Sequence, residues 1–236
     1  MMMRTSIKHL LQAALDVVLP RTCPVCGAAL GADEPWLCRQ CMSDLPRTHL
    51  HDVDANVMEQ LFFGKVRIER ATGYFWYDKG SHYASILHDI KYHHTPRMAQ
   101  WLAAHAATEA PTFFRDIDMI TPVPLHSSKL AQRGYNQSQY IARGIRQVTG
   151  APIVPAVTAT RQHSTQTRKS GYERWQNIQD AYALDSRIAQ QIQGKHILLV
   201  DDVVTTGSTL EACAHALHST GNVTVSIFTL AVARLT

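Results

Sequence analysis

Residues 195–209, KHILLVDDVVTTGST, combine a buried strand, two adjacent carboxylates and a phosphate-sized loop. Ile197, Leu198, Leu199 and Val200 form a short continuous apolar run, the pattern of a strand covered on both faces. Asp201 and Asp202 follow at its carboxyl end, where open α/β sheets place their ligands. Thr205, Thr206, Gly207, Ser208 and Thr209 come next and lead into the helical pattern of Leu210, Cys213, Ala214 and Leu217. Gly207 permits a tight turn, and the small hydroxyl residues leave backbone N–H groups room to face an anion. The helix N-terminus adds its positive dipole end. Two carboxylates beside an anion cradle suit a ligand with a vicinal diol and a phosphate, such as a phosphorylated ribose. The plainer alternative is a strand ending in Asp-Asp before an ordinary Ser/Thr cap. No G-x-x-x-x-G-K-[ST] loop occurs, so nothing supports ATP hydrolysis of that kind.

Outward from this stretch, strands and helices alternate. Residues 56–64 read as a short helix, and residues 71–77 (ATGYFWY) as an aromatic strand closing in the turn Asp78-Lys79-Gly80. Residues 82–92 and 98–107 read as helices, and residues 118–123 (DMITPV) as a second buried strand. That strand runs into a small-residue loop holding Lys129 and Arg133, then into a helix over residues 138–148. Lys129 and Arg133 offer cations to a pyrophosphate; the bland reading is a βα loop with solvated charges. Residues 153–157 and 181–184 read as short strands, and residues 223–233 as one or two more. The polar stretch after the first of these, residues 161–171 with Arg168 in it and Tyr172, Arg174 and Asn177 just beyond, reads as a basic lid or as a solvated surface loop. The alternation predicts a mostly parallel, doubly wound sheet.

Four of five cysteines lie together as C-x2-C-x11-C-x2-C: Cys23, Cys26, Cys38 and Cys41. Two CxxC knuckles let four thiolates converge on a tetrahedral Zn²⁺, leaving no open position, so the role is structural. Disulfides or redox motifs are the competing reading, and a chain without export signals argues against them. Cys213 stands apart on an apolar helix face and reads as core. Thirteen histidines include His82, His88, His93 and His94, but no H-E-x-x-H spacing, and they read as surface or cap residues.

At 236 residues, with 45% hydrophobic and 18% charged content, the chain can bury one full α/β core and carry a small accessory module. A net charge of +4 is compatible with phosphate-rich ligands without selecting one. Near the N-terminus, Ile7, Leu10, Leu11, Ala14, Leu15, Val18 and Leu19 have helical spacing, interrupted by Lys8, His9, Gln12 and Asp16. This is too short and too polar for a membrane span and a poor match to a signal peptide. It reads as an amphipathic helix ended by Pro20, with no membrane insertion and a cytoplasmic location. The expected division is residues 1–50 as helix plus zinc ribbon and residues 51–236 as the α/β domain.

Residues 197–209 closely resemble the 13-residue phosphoribosyl pyrophosphate (PRPP) signature of type I phosphoribosyltransferases. With the other motifs in place, the chain resembles the ComF family of phosphoribosyltransferase-like proteins, GntX-type members included. The likeness rests on the cysteine ribbon, on Lys91-Tyr92 closing a helix, and on Pro122-Val-Pro followed by Arg133-Gly-Tyr-Asn-Gln137. It rests also on a lid read as Arg161, Thr165, Gln166, Arg174 and Asn177, and on Leu199 through Gly207. The resemblance implies a type I phosphoribosyltransferase-like fold that binds PRPP. Asp201 and Asp202 would take the ribose hydroxyls, Thr205, Thr206, Gly207, Ser208 and Thr209 the 5-phosphate, and the loop around residues 125–133 the pyrophosphate with Mg²⁺. Lys129, Arg133 and Arg168 would then assist a transfer reaction. The resemblance also implies a link to competence, DNA uptake and use of external DNA as nutrient. Two readings stay open: a phosphoribosyl transfer enzyme, or a non-catalytic PRPP-sensing adaptor that contacts single-stranded DNA or uptake proteins.

Overall fold

A computed structural model describes residues 20–93, 95–160 and 181–234. In chain order the regular elements are α1 (Arg39–Ser43), α2 (Val57–Gln60), β1 (Ala71–Tyr77), α3 (Ala84–Tyr92), α4 (Pro96–Glu109) and α5 (Pro111–Phe114). There follow β2 (Met119–Pro122), α6 (Ser127–Arg133), α7 (Gln137–Thr149), β3 (Val157–Ala159), β4 (Tyr182–Leu184), β5 (His196–Val204), α8 (Ser208–His218) and β6 (Thr224–Ala233). The main sheet has the order β1-β6-β5-β2, with every neighbouring pair parallel. β3 and β4 form a separate antiparallel pair.

Successive residues of the central strands feed opposite layers, as the period of two requires. Leu198, Val200, Phe228 and Leu230 join Ile86, Leu102 and Ile141 from α3, α4 and α7. Ile197, Leu199 and Ile227 join Leu210, Cys213 and Leu217 of α8, with Met58 and Phe62. Helices thus cover both faces, and the expected doubly wound parallel sheet is the fold observed. Each fully buried Leu, Ile or Phe contributes about 1.5–3 kcal/mol of transfer free energy, so the two layers carry most of the stability. α7 lies unusually close to α4 at Gly144, where a Cβ would sit 2.1 Å from the Gln100 carbonyl oxygen.

The cysteine ribbon merges with this core. Cys23, Leu30, Leu37, Cys41 and Leu45 belong to the same apolar cluster as Phe75, Ile86 and Leu87. The Tyr83 hydroxyl donates to the Cys41 carbonyl at 3.2 Å, pinning the ribbon to the start of α3.

Three expectations about local structure change. The loop expected to hold Lys129 and Arg133 is largely helix, α6. His126 caps its start by accepting from the Ser128 amide, and Gly134 ends it at φ +80°. The strand expected at residues 153–157 reduces to a single bridge, Ile153 to Ile120, before β3. β5 runs through both carboxylates to Val204 instead of ending before them, because the long β6 keeps pairing with it as far as Val232. No described helix is long and apolar enough to cross a membrane. The expected N-terminal helix and the lid, with Arg168, lie outside the described residues.

Candidate functional site

β2 pairs with β5 only as far as Pro122 opposite Val200, and the last bond on that side runs from the Val123 amide to the Val200 carbonyl at 2.9 Å. Beyond Val200, β5 keeps β6 on one side and loses β2 on the other. Asp201 and Asp202 sit at that opening, and the N-terminus of α7 fills it.

The RGYNQ segment builds this wall. Asn136 caps α7 by accepting from the Ser138 amide at 3.0 Å, and its Nδ2 donates back to the Val123 carbonyl at 2.9 Å. These bonds aim the first turn of α7 at β5. Gln137 Nε2 donates to Asp202 Oδ2 at 3.1 Å, and Ser138 Oγ donates to Asp201 Oδ1 at 2.9 Å. Gln137 Oε1 is buried with no hydrogen-bond partner among the described residues, which leaves an open acceptor beside the pair. The Tyr135 hydroxyl donates to the Ile90 carbonyl and ties the segment to α3.

From α3, Lys91 reaches across to Asp202, with Nζ 3.0 Å from Oδ2 and the carboxylate side chain 8% exposed. Burial and the neighbouring Asp202 charge push the Asp201 carboxyl up to about 7, against the opposing pull of the Asp202 amide, the Ser138 hydroxyl and Lys91. The two carboxylates are therefore unequal: Asp202 is buried against a cation, while Asp201 holds a proton readily and can accept or donate near neutral pH.

The anion cradle follows directly. Gly207 is the N-cap of α8 at φ +79°, and no side chain caps the helix, so its first amides stay available to a ligand. A Cβ on Gly207 would lie 3.2 Å from the Phe62 ring. Thr205 and Thr206 are exposed, while Ser208 and Thr209 are half-buried. The hydroxyls of Thr206 and Ser208 lie 3.0 Å apart. Tyr182 on β4 hydrogen-bonds the Thr209 side chain, and burial pushes its phenol up to about 12, so it stays neutral.

The sequence-predicted residues divide. Asp201, Asp202 and residues 205–209 are gathered at one place. Arg133 lies over the ring of Tyr92, the residue after Lys91, 5.6 Å from its centroid, whereas Lys129 is exposed on α6. These two cations, four residues apart, share one helix face. Lys91, Gln137, Ser138 and Tyr182 carry contacts that motif reading had not assigned. Lys91 and Gln137 already stood inside quoted motifs, but their partners lie far along the chain.

In the ribbon, the sulfurs of Cys23, Cys26, Cys38 and Cys41 all lie within 4.8 Å of one another. Cys26 and Cys38 sulfurs are 3.7 Å apart. Four thiolates at about 2.3 Å from one zinc ion stand about 3.8 Å apart, whereas a disulfide needs about 2.05 Å. Burial raises the Cys23 thiol, but amide hydrogen bonds from Cys38, Cys26 and Val25 bring it down to about 7, while burial and the neighbouring thiols push Cys41 up, so without a metal the four sulfurs ionise unequally. The residues fit a closed structural zinc site.

Comparison with known proteins agrees with this layout. The phosphoribosyl transferase domain family matches residues 144–234, and the double zinc ribbon domain family matches residues 14–51. The ribbon stretch holds four cysteines, ligands for one tetrahedral ion. DNA utilization protein YhgH of Shigella flexneri is 30% identical over 214 residues, 88% of each chain. Competence protein F of Haemophilus influenzae is 31% identical over 115 residues, 48% of this chain and 50% of its own. Among solved structures, an allosteric regulatory enzyme of purine biosynthesis aligns over 57% of this chain and 25% of its own at 23% identity. Its TM-score of 0.39 is too low to bear on function.

Proposed function

This chain belongs to the ComF family of phosphoribosyltransferase-like proteins, and from that premise we propose that it binds PRPP at the carboxyl end of β5. The observation that carries the reading is the convergence of Asp201, Asp202 and the open Gln137 Oε1 beside the uncapped start of α8. A ribose diol donates to those acceptors, and a 5-phosphate accepts from the α8 amides and the hydroxyls of residues 205–209. Lys129 and Arg133 on α6 would face the diphosphate, where positive charge stabilises a leaving pyrophosphate. Mg²⁺ suits oxygen ligands of this kind. Asp202 Oδ2 already accepts from Lys91 and Gln137, so the ion would ride chiefly on oxygens of the ligand. The cytoplasm, where cysteine thiols stay reduced for zinc, is the compartment that fits.

Titration calorimetry with PRPP and Mg²⁺ tests the site. Saturable binding is expected for the wild type and none for Asp201→Asn with Asp202→Asn in a folded protein. Equal stabilisation of both proteins by PRPP in a melting assay would overturn the assignment. A second reading, a PRPP-sensing adaptor that contacts single-stranded DNA or uptake proteins, is favoured by the names of the relatives, which speak of DNA utilization and competence. Pyrophosphate release with any nucleobase in an acceptor screen supports the transferase. Tight binding without release, with retained DNA or protein in a pull-down, supports the adaptor.

A further inference from the structure

The end of α3 carries a second group of metal-binding side chains, separate from the cysteines and from the carboxylate pair. His88, Asp89 and His93 each bring one ligand atom to within 4.8 Å of the others. His93 Nδ1 is 2.8 Å from Asp89 Oδ1, and His88 Nδ1 is 3.8 Å from the same oxygen. The two imidazoles meet edge-on with centroids 4.8 Å apart. Ligand atoms bound at about 2.0–2.2 Å to one ion stand roughly 3–3.5 Å apart, and the observed separations bracket that spacing. An i,i+4 ion pair accounts for His93 and Asp89; it does not account for the second imidazole converging on the same carboxylate oxygen.

The surroundings favour a cation. The group closes the C-terminal end of α3, where unpaired carbonyls make the helix pole negative. Lys91, lying between these residues in sequence, is turned onto Asp202 at 3.0 Å. Arg133 is stacked over Tyr92, whose ring in turn lies 5.1 Å from His88. Both imidazoles are more than half exposed, while the Asp89 side chain is only 23% exposed and so is held in place. A comparable group, His49, His51 and Asp52, is less suited, because its carboxylate is 65% exposed and not held in place.

We propose that His88, Asp89 and His93 form a binding site for a divalent transition metal of the zinc and nickel class. Two imidazoles and one carboxylate suit such ions and leave coordination positions open to water or a phosphate oxygen. The site stands independently of the PRPP reading.

The experiment is calorimetric titration of Ni²⁺ into untagged, full-length protein already loaded with zinc. Wild type is expected to take up a further equivalent beyond the cysteine-bound ion. His88→Ala with His93→Ala should lose that equivalent and keep its zinc and its circular dichroism spectrum. Asp89→Asn should weaken the uptake by at least about tenfold, and His49→Ala with His51→Ala should leave it unchanged. Absence of the further equivalent in wild type, or its loss in the His49/His51 variant alone, overturns the proposal.

Discussion

The turn from β5 to α8 and the passage from β2 through α6 to α7 both end beside Asp201 and Asp202, but they reach it by different means. The first takes a few residues, passes through a buried glycine at positive φ, and leaves the helix start uncapped. The second inserts a whole short helix with no buried residue, then caps α7 with Asn136. The first leaves the amides at the start of α8 free and its glycine packed. A passage that must position side chains satisfies its own backbone and projects Gln137 and Ser138 instead.

The largest expected effect tests the cross-chain link on which the second passage depends. Lys91→Met leaves the buried Asp202 with Gln137 alone, and should cost about 2–3 kcal/mol of unfolding free energy, measured in urea. This is below the full penalty for breaking a buried pair, because Lys91 is 22% exposed. An unchanged midpoint would show that α3 and β5 are not coupled through this pair.

Next come the two glycines. Gly207→Ala meets both a φ of +79° and the Phe62 ring at 3.2 Å, and should lose about 2 kcal/mol. It should also lose about tenfold or more in PRPP affinity. Gly134→Ala, at φ +80° with nothing within 4 Å of the new Cβ, should lose only about 1 kcal/mol. Equal losses in both would remove the distinction between a packed turn and an open one.

Asp201 supplies a pH test. Its folded pKa of about 7 lies above the ordinary 3.8, so between those values the native state keeps a proton that the unfolded chain releases. Its contribution is fully present below the unfolded value and is lost as pH rises through the folded one. Asp201→Asn should therefore flatten the fall in stability across that window relative to wild type. Denaturation curves of both proteins from acid to neutral pH read the difference, and parallel curves would place the proton elsewhere. An effect as small as that of Gly134→Ala is expected for Tyr135→Phe, which loses one hydrogen bond to Ile90 and about 1 kcal/mol in the same urea assay.

The site was legible where its chemistry is local. Strand β1 matches the aromatic run Ala71–Tyr77, and the cysteine knuckles, the Asp-Asp pair and the Thr-Thr-Gly-Ser-Thr loop each carry their meaning within a few residues. Lys129 and Arg133 were misplaced in a loop because small polar residues suit a loop and a short capped helix equally well. His88, Asp89 and His93 lack any metal-binding motif spacing. Helical i,i+4 spacing sets His93 over Asp89, and only the structure shows that His88 meets the same carboxylate.

By itself, the sequence determined the alternation of strands and helices, the clustering of the four ribbon cysteines and the placing of an Asp-Asp pair just before a glycine turn at residues 201–209, because apolar period and short-range spacing act along the chain. Only the tertiary structure decided that Lys91, Gln137 and Ser138 grip the two carboxylates and make them unequal. Those partners are 63 to 111 residues away in sequence. What sets a carboxyl group's proton affinity is the burial and charge around it, and both are made by packing α3 and α7 against the end of β5.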